Sequence, residues 1–173
     1  MNEMRYNIVY FHGLGSSLSA EKRAVLEEFG QVINQTYEYE DPKVLNSIVP
    51  SFVKPDAPAV VIGSSMGGYF AKLFSLKFDI PCLLFNPAFV SRSLDLATPA
   101  PLDTDIKSSS YIVLGKQDER INYLENQTFI SGTLKGPVKV IVDENLTHQI
   151  PLDDFAKHVS LFFESLKETI LRE

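Results

Sequence analysis

The apolar run Ala59-Val60-Val61-Ile62 leads directly into Gly63-Ser64-Ser65-Met66-Gly67, and from Tyr69 onward apolar residues recur at helical spacing. Few folds admit such a junction. Continuous β-branched residues suit a strand buried on both faces, as a parallel sheet requires. Tyr69, Phe70, Leu73, Phe74 and Leu76 suit the buried stripe of a helix. In a Gly-x-Ser-x-Gly turn between two such elements the serine is forced into a tight bend, and glycines stand where side chains would collide with the neighbouring strand and helix. The segment reads as a nucleophile elbow, with Ser65 as candidate nucleophile and Gly63 and Gly67 as its spacers. A bare glycine turn would explain the pentapeptide alone. A phosphate-binding loop would need Gly-Lys-Ser/Thr or Gly-x-Gly-x-x-Gly, and the chain has neither.

The rest of the chain repeats the alternation. Strand-like runs are expected at Asn7 to Phe11, Gln31 to Tyr37, Ala59 to Ile62, Cys82 to Phe85, Tyr111 to Leu114 and Val138 to Val142. Helices are expected at Ala20 to Phe29, Lys43 to Val53, Met66 to Phe78, Tyr123 to Ile130 and Asp153 to about Leu171. In the last of these, Phe155, Val159, Phe162, Phe163 and Leu166 form an apolar stripe. This order predicts an α/β fold, a mostly parallel sheet of about six strands with helices on both faces. The 173 residues suit one domain spanning 1–173. Asn86 to Ser110 lacks clear periodicity and carries Pro87, Pro99 and Pro101. An excursion of that length after a strand reads as a short cap or lid.

Composition removes several function classes. A formal net charge of -6, with no basic cluster along the chain, disfavours nucleic acid and acidic membrane surfaces. No apolar run approaches the roughly 18 residues needed to span a bilayer. The first residues lack the order of a secretion signal, which predicts a cytoplasmic location. The one cysteine, Cys82, sits in an apolar run and reads as a core residue.

A serine hydroxyl becomes a useful nucleophile when an imidazole takes its proton and a carboxylate fixes that imidazole's tautomer. Enzymes built on an elbow supply the acid and then the histidine from loops after later strands. His148 follows the run Val138 to Val142 and precedes the last helix, which makes it the candidate base. His158 falls among the apolar positions of that helix and reads as structural. The turn after Leu114, Gly115-Lys116-Gln117-Asp118-Glu119, offers Asp118 as the acid, with Glu119 as the nearest rival. Asp143 and Glu144 share the loop of His148 and would more easily cap or solvate it. The oxyanion of a tetrahedral intermediate needs N–H donors. Met66 provides one directly after the serine, and Leu14 in the His12-Gly13-Leu14-Gly15-Ser16-Ser17 turn provides the second.

These residues together resemble the small bacterial esterases of the YqiA type within the α/β-hydrolase superfamily. Tyr10 to Ser17 is similar to that family's first strand and oxyanion loop, with His12 and Gly13 as its His-Gly, and Gly63 to Tyr69 to its elbow. Asn86-Pro87-Ala88 resembles the tripeptide after its next strand, and Gln117 to Glu119 with Asn122-Tyr123 its acid loop. The segment from Asn86 to Tyr111 is shorter than the family's usual connection, and Glu144 to His148 lacks the glycines that normally precede its histidine. The resemblance implies a compact α/β-hydrolase fold and cleavage of a small-molecule acyl ester or thioester, without metal or cofactor. A short cap adds the expectation of short acyl groups. A catalytically silent hydrolase fold acting as a binding module, or transfer of the acyl group to another acceptor, is the alternative.

Overall fold

A computed structural model of the chain describes residues 5–34, 36–41, 43–44, 57–92 and 101–172. Among these residues six strands form one parallel sheet: β1 (Tyr6–Phe11), β2 (Gly30–Ile33), β3 (Ala59–Ser64), β4 (Cys82–Phe85), β5 (Ser110–Gly115) and β6 (Val138–Asp143). Their spatial order is β2-β1-β3-β4-β5-β6. The helices are α1 (Ala20–Glu27), α2 (Met66–Phe78), α3 (Tyr123–Thr133) and α4 (Leu152–Ile170).

Because side chains alternate along a strand, each strand feeds two cores. Val9, Phe11, Val61, Leu84 and Ile112 pack with α2 and with Ile130 of α3. Ile8, Tyr10, Ile62, Phe85 and Val113 pack with Leu26 of α1 and the stripe of α4. Phe155, Phe162 and Phe163 of that stripe are fully buried, each contributing about 1.5–3 kcal/mol of apolar transfer. The outer strand β6 is only partly buried and carries exposed Lys139, a charge that discourages further strand pairing.

Helix α2 and strand β4 have the expected bounds, and the other described elements recur with shifted ends. Strand β2 stops at Ile33, paired with Val9, instead of reaching Tyr37; β1, its neighbour among the described residues, itself ends two residues later at Phe11, so it has no partner to offer as far along as Tyr37. Tyr37 instead packs its ring on Phe11 at 4.6 Å. Helix α1 ends at Glu27, leaving Phe29 to bond back to the Leu26 carbonyl before Gly30 opens β2. Helix α3 runs on to Thr133, and its start is capped by Asn122, whose side chain accepts from the N–H groups of Leu124 and Glu125. The helix expected at Lys43 to Val53 lies outside the described residues apart from its first two. Residues 93–100 of the expected cap lie outside them too. Of the remainder, Phe89, Leu102 and Ile106 are buried.

The order of strands sets where a ligand can enter. The chain leaves β1 for β2 on one side, then crosses back to place β3 on the other side. At such a reversal the loops diverge and a crevice opens beyond the carboxyl ends of the strands. Phe11 pairs with Gly63, so the loops after β1 and β3 flank that crevice. Their approach is close: a Cβ on Gly67 would overlap the carbonyl oxygens of Phe11 and His12, and one on Gly63 would overlap that of Gly67. Gly67→Ala should therefore cost about 3 kcal/mol in urea unfolding. Gly132→Ala, near the end of α3 where an added Cβ meets nothing, should gain about 0.5–1 kcal/mol. Equal stability of the two variants would refute this account of the junction.

Candidate active site

The elbow is built as the pentapeptide implies. Ser65 has φ 57 and ψ -121, a backbone region that costs on the order of 1–3 kcal/mol for a residue with a side chain. Hydrogen bonds hold it there. Its N–H donates to the Phe85 carbonyl at 3.0 Å, while its carbonyl accepts from Gly68 at 3.0 Å, Tyr69 at 3.2 Å and Ala88 at 2.9 Å. The side chain is left facing a cavity of about 620 Å³. Ser65 Oγ makes no hydrogen bond among the described residues, so the hydroxyl is free to meet a ligand.

His148 lines the same cavity. Its Nδ1 lies 2.8 Å from Asp118 Oδ2. A carboxylate can only accept, so Nδ1 carries a proton and donates it, and Nε2 stands outside this contact. The Asp118 side chain is fully buried. Burial pushes its carboxyl up, but the His148 hydrogen bond, the N–H groups of Ile121 and Arg120, and the charge on His148 outweigh it, and the group is held below the usual aspartate range. Asp118 therefore stays ionised beside the imidazole.

The rivals are placed elsewhere. Glu119 is exposed, and the ion pair to His148 is made by Asp118 instead. Glu144 pairs with Lys116 at 2.9 Å, and Asp143 caps the N–H of Asn145. His158 is buried between the rings of Phe85 and Tyr111 and lines no part of the cavity. Burial pushes its pKa down, helped by the charge of Lys157.

Gly13, Leu14 and Met66 complete the wall around Ser65. A Cβ on Gly13 would stand 3.7 Å from Ser65 Cβ. Met66 opens helix α2, so its N–H has no partner within the helix. The turn is closed by Ser16 N–H on the Gly13 carbonyl at 3.1 Å, with Gly15 at φ 67. His12 anchors it from below. Its Nε2 accepts the Tyr37 N–H at 2.9 Å and its Nδ1 donates to the Gly13 carbonyl at 2.6 Å, which fixes a neutral tautomer with no nitrogen to spare. The Tyr39 hydroxyl donates to the His12 carbonyl. No group of three or more His, Cys, Asp or Glu side chains among the described residues could hold a metal.

Residue-by-residue reading missed Asn86 as a working part of the site. It is buried with φ 40, and its side chain ties three loops together. Oδ1 accepts the Gly115 N–H at 2.7 Å, and Nδ2 donates to the Thr147 carbonyl at 3.0 Å. It thus spans the strand end before Asp118 and the backbone next to His148. One residue on, Pro87 accepts from buried Asn126 Nδ2 at 2.8 Å. The signal was present as the tripeptide Asn-Pro-Ala, but its role needs partners that are 29 and 61 residues away. Asn86→Asp keeps the acceptor and shape but turns a carboxylate oxygen on the Thr147 carbonyl. We expect it to lose about 1–3 kcal/mol of stability and to loosen the His148 loop, measured as faster amide exchange at 146–149. Unchanged exchange there would remove Asn86 from this role.

The family model described as Uncharacterised protein family (UPF0227) matches residues 7–98. Comparison with curated proteins by sequence gave no match. Among solved structures the fold resembles mouse alpha/beta hydrolase domain-containing protein 10, at TM-score 0.72 and 13% identity over 95% of this chain and 90% of that one. It also resembles ferulic acid-bound Est1E from Butyrivibrio proteoclasticus, at TM-score 0.69 and 17% identity over 94% and 90%. A third is MGS-MChE2, an alpha/beta hydrolase enzyme from a sediment metagenome of the Mar Chica lagoon, Morocco, at TM-score 0.70 and 17% identity over 95% and 92%. At these identities the likeness is one of fold, and it agrees with the sheet order and the elbow. The matched stretch takes in the turn from Gly13 to Ser16, the bend at Ser65 and the Asn-Pro-Ala, and on it the chain belongs to the UPF0227 family, the YqiA family, with an α/β-hydrolase fold.

Proposed function

We infer that this chain is a serine hydrolase that cleaves carboxylic esters or thioesters through an acyl-enzyme intermediate. The observation that carries the reading is His148 on the wall of the cavity that Ser65 faces from its elbow, with Asp118 behind it 2.8 Å from Nδ1. Ser65 Oγ attacks the acyl carbonyl as His148 Nε2 takes its proton, and Asp118 steadies the imidazolium that forms. The Leu14 and Met66 N–H groups receive the oxyanion, where preorganised donors act most strongly. Collapse expels the alcohol or thiol, protonated by His148. A water deprotonated by the same nitrogen then releases the acid and restores Ser65. The sequence requires no metal or organic cofactor. The same reading keeps a one-domain cytoplasmic enzyme acting on a small molecule, with the excursion after Asn86 as a short cap.

The geometry before substrate binds is consistent with these roles, because catalytic hydrogen bonds often close only in the complex. A fluorophosphonate should add once to the wild-type protein and not at all to Ser65→Ala, read by intact mass. Ser65→Ala and His148→Ala should each lower kcat/KM by a factor on the order of 10⁴ to 10⁶. A folded wild-type protein that takes no label would instead support a silent binding module. On a chain-length series of p-nitrophenyl esters, butyrate-sized acyl groups should be cleaved faster than long ones. The reverse order would refute the short-cap part of the reading.

A further inference from the structure

The chain carries 22 acidic residues against 16 Lys and Arg, yet the cavity faced by Ser65 runs against that balance. Its described lining contains Lys22 and Arg120 and no carboxylate side chain. Neither cation has an ion-pair partner among the described residues, in contrast to Arg23 with Glu27 and Lys116 with Glu144. Lys22 projects from α1, its Nζ 5.3 Å from the Phe155 ring centroid, a contact that leaves the ammonium protons available. Arg120 follows Asp118 by two residues, and its backbone N–H is held by Asp118 Oδ1 at 2.8 Å. The loop that supports His148 therefore also fixes where this guanidinium starts. Ser16, Ser17 and Ser91 add hydroxyl groups to the same wall.

Two unpaired cations in a concave site attract and orient an anion far better than the same charges on an open surface. An arginine fork further suits the two oxygens of a carboxylate or the face of a phosphate. We propose that Lys22 and Arg120 bind an anionic group on the substrate, so that the cavity takes acyl esters or thioesters bearing a carboxylate or phosphate in preference to neutral ones. This rests on the hydrolase reading for the word ester, but the anion site stands on the lining alone. The group binds beside the reacting carbonyl and undergoes no chemistry itself. In kinetic terms it contributes positioning of the carbonyl against Ser65.

Binding can be read without turnover by titrating the full-length Ser65→Ala protein in a calorimeter with monomethyl glutarate, its neutral twin dimethyl glutarate, and inorganic phosphate. Monomethyl glutarate should bind and dimethyl glutarate should not, and phosphate binding would show that the site accepts either anion class. Lys22→Gln and Arg120→Gln should each weaken anion binding by roughly tenfold or more. Lys167→Gln, the same charge loss on the exposed last turn of α4, should leave it unchanged. Raising the ionic strength from about 0.01 M to about 0.5 M should weaken it as well. Equal binding of the two glutarates, no binding of either anion, or anion binding unaffected by both variants would each overturn the proposal. Hydrolysis of p-nitrophenyl esters by the wild-type protein is scored separately. A chain that binds the anion but cleaves nothing would sink the esterase reading and leave the anion site in place.

Discussion

The backbone of one residue organises much of this molecule. Ser65 sits at φ 57 in a conformation that an isolated serine would avoid, and it is held because the Phe85 carbonyl and the Ala88 N–H grip it from the adjoining strand end. That grip works only if β3, β4 and the start of α2 approach one another closely. Glycines at 63 and 67 permit the approach, the second against the carbonyls that end β1. The elbow is thus the point where three strand ends and a helix meet. Packing elsewhere in the two cores supplies the stability that offsets the local strain.

The polar chemistry is arranged around that point by a second set of long-range bonds. Asn86 joins the ends of β4 and β5 to the backbone next to His148, while Asp118 receives two N–H groups of its own turn and the imidazole proton. A buried carboxylate with several donors stays ionised at neutral pH, so the imidazole is oriented before any ligand arrives. His12 illustrates the opposite use of the same side chain. Both of its nitrogens are consumed by backbone groups, and it shapes the turn carrying Leu14 without lining the cavity. Three histidines in one chain therefore have three environments: a pinned structural one, a buried one without hydrogen-bond partners, and one open to the cavity.

Charge adds a layer that the fold alone does not dictate. The protein is acidic as a whole, whereas its serine-facing cavity is lined by Lys22 and Arg120, the contrast on which the proposed anion preference rests. Selectivity of this kind would come from the contrast between the two.

Local pattern alone determined the alternation of strands and helices, the bounds of α2 and β4 to the residue, the position of Ser65 at the bend between β3 and α2, and Asp118 and His148 as the loop residues to compare. These are short-range properties: β-branched runs, helical spacing and glycine turns act within a few residues of themselves. The end of β2 was not legible, since it depends on how far β1 continues beside it. Nor could local pattern choose between Asp118 and Glu119, because neighbouring carboxylates differ only in which one faces the imidazole across 30 residues of chain. The ties made by Asn86 and the pinning of His12 by Tyr37 were invisible for the same reason. Tertiary structure decided them because hydrogen bonds between distant loops follow from sheet order and close backbone approach, and one-dimensional periodicity carries no record of either.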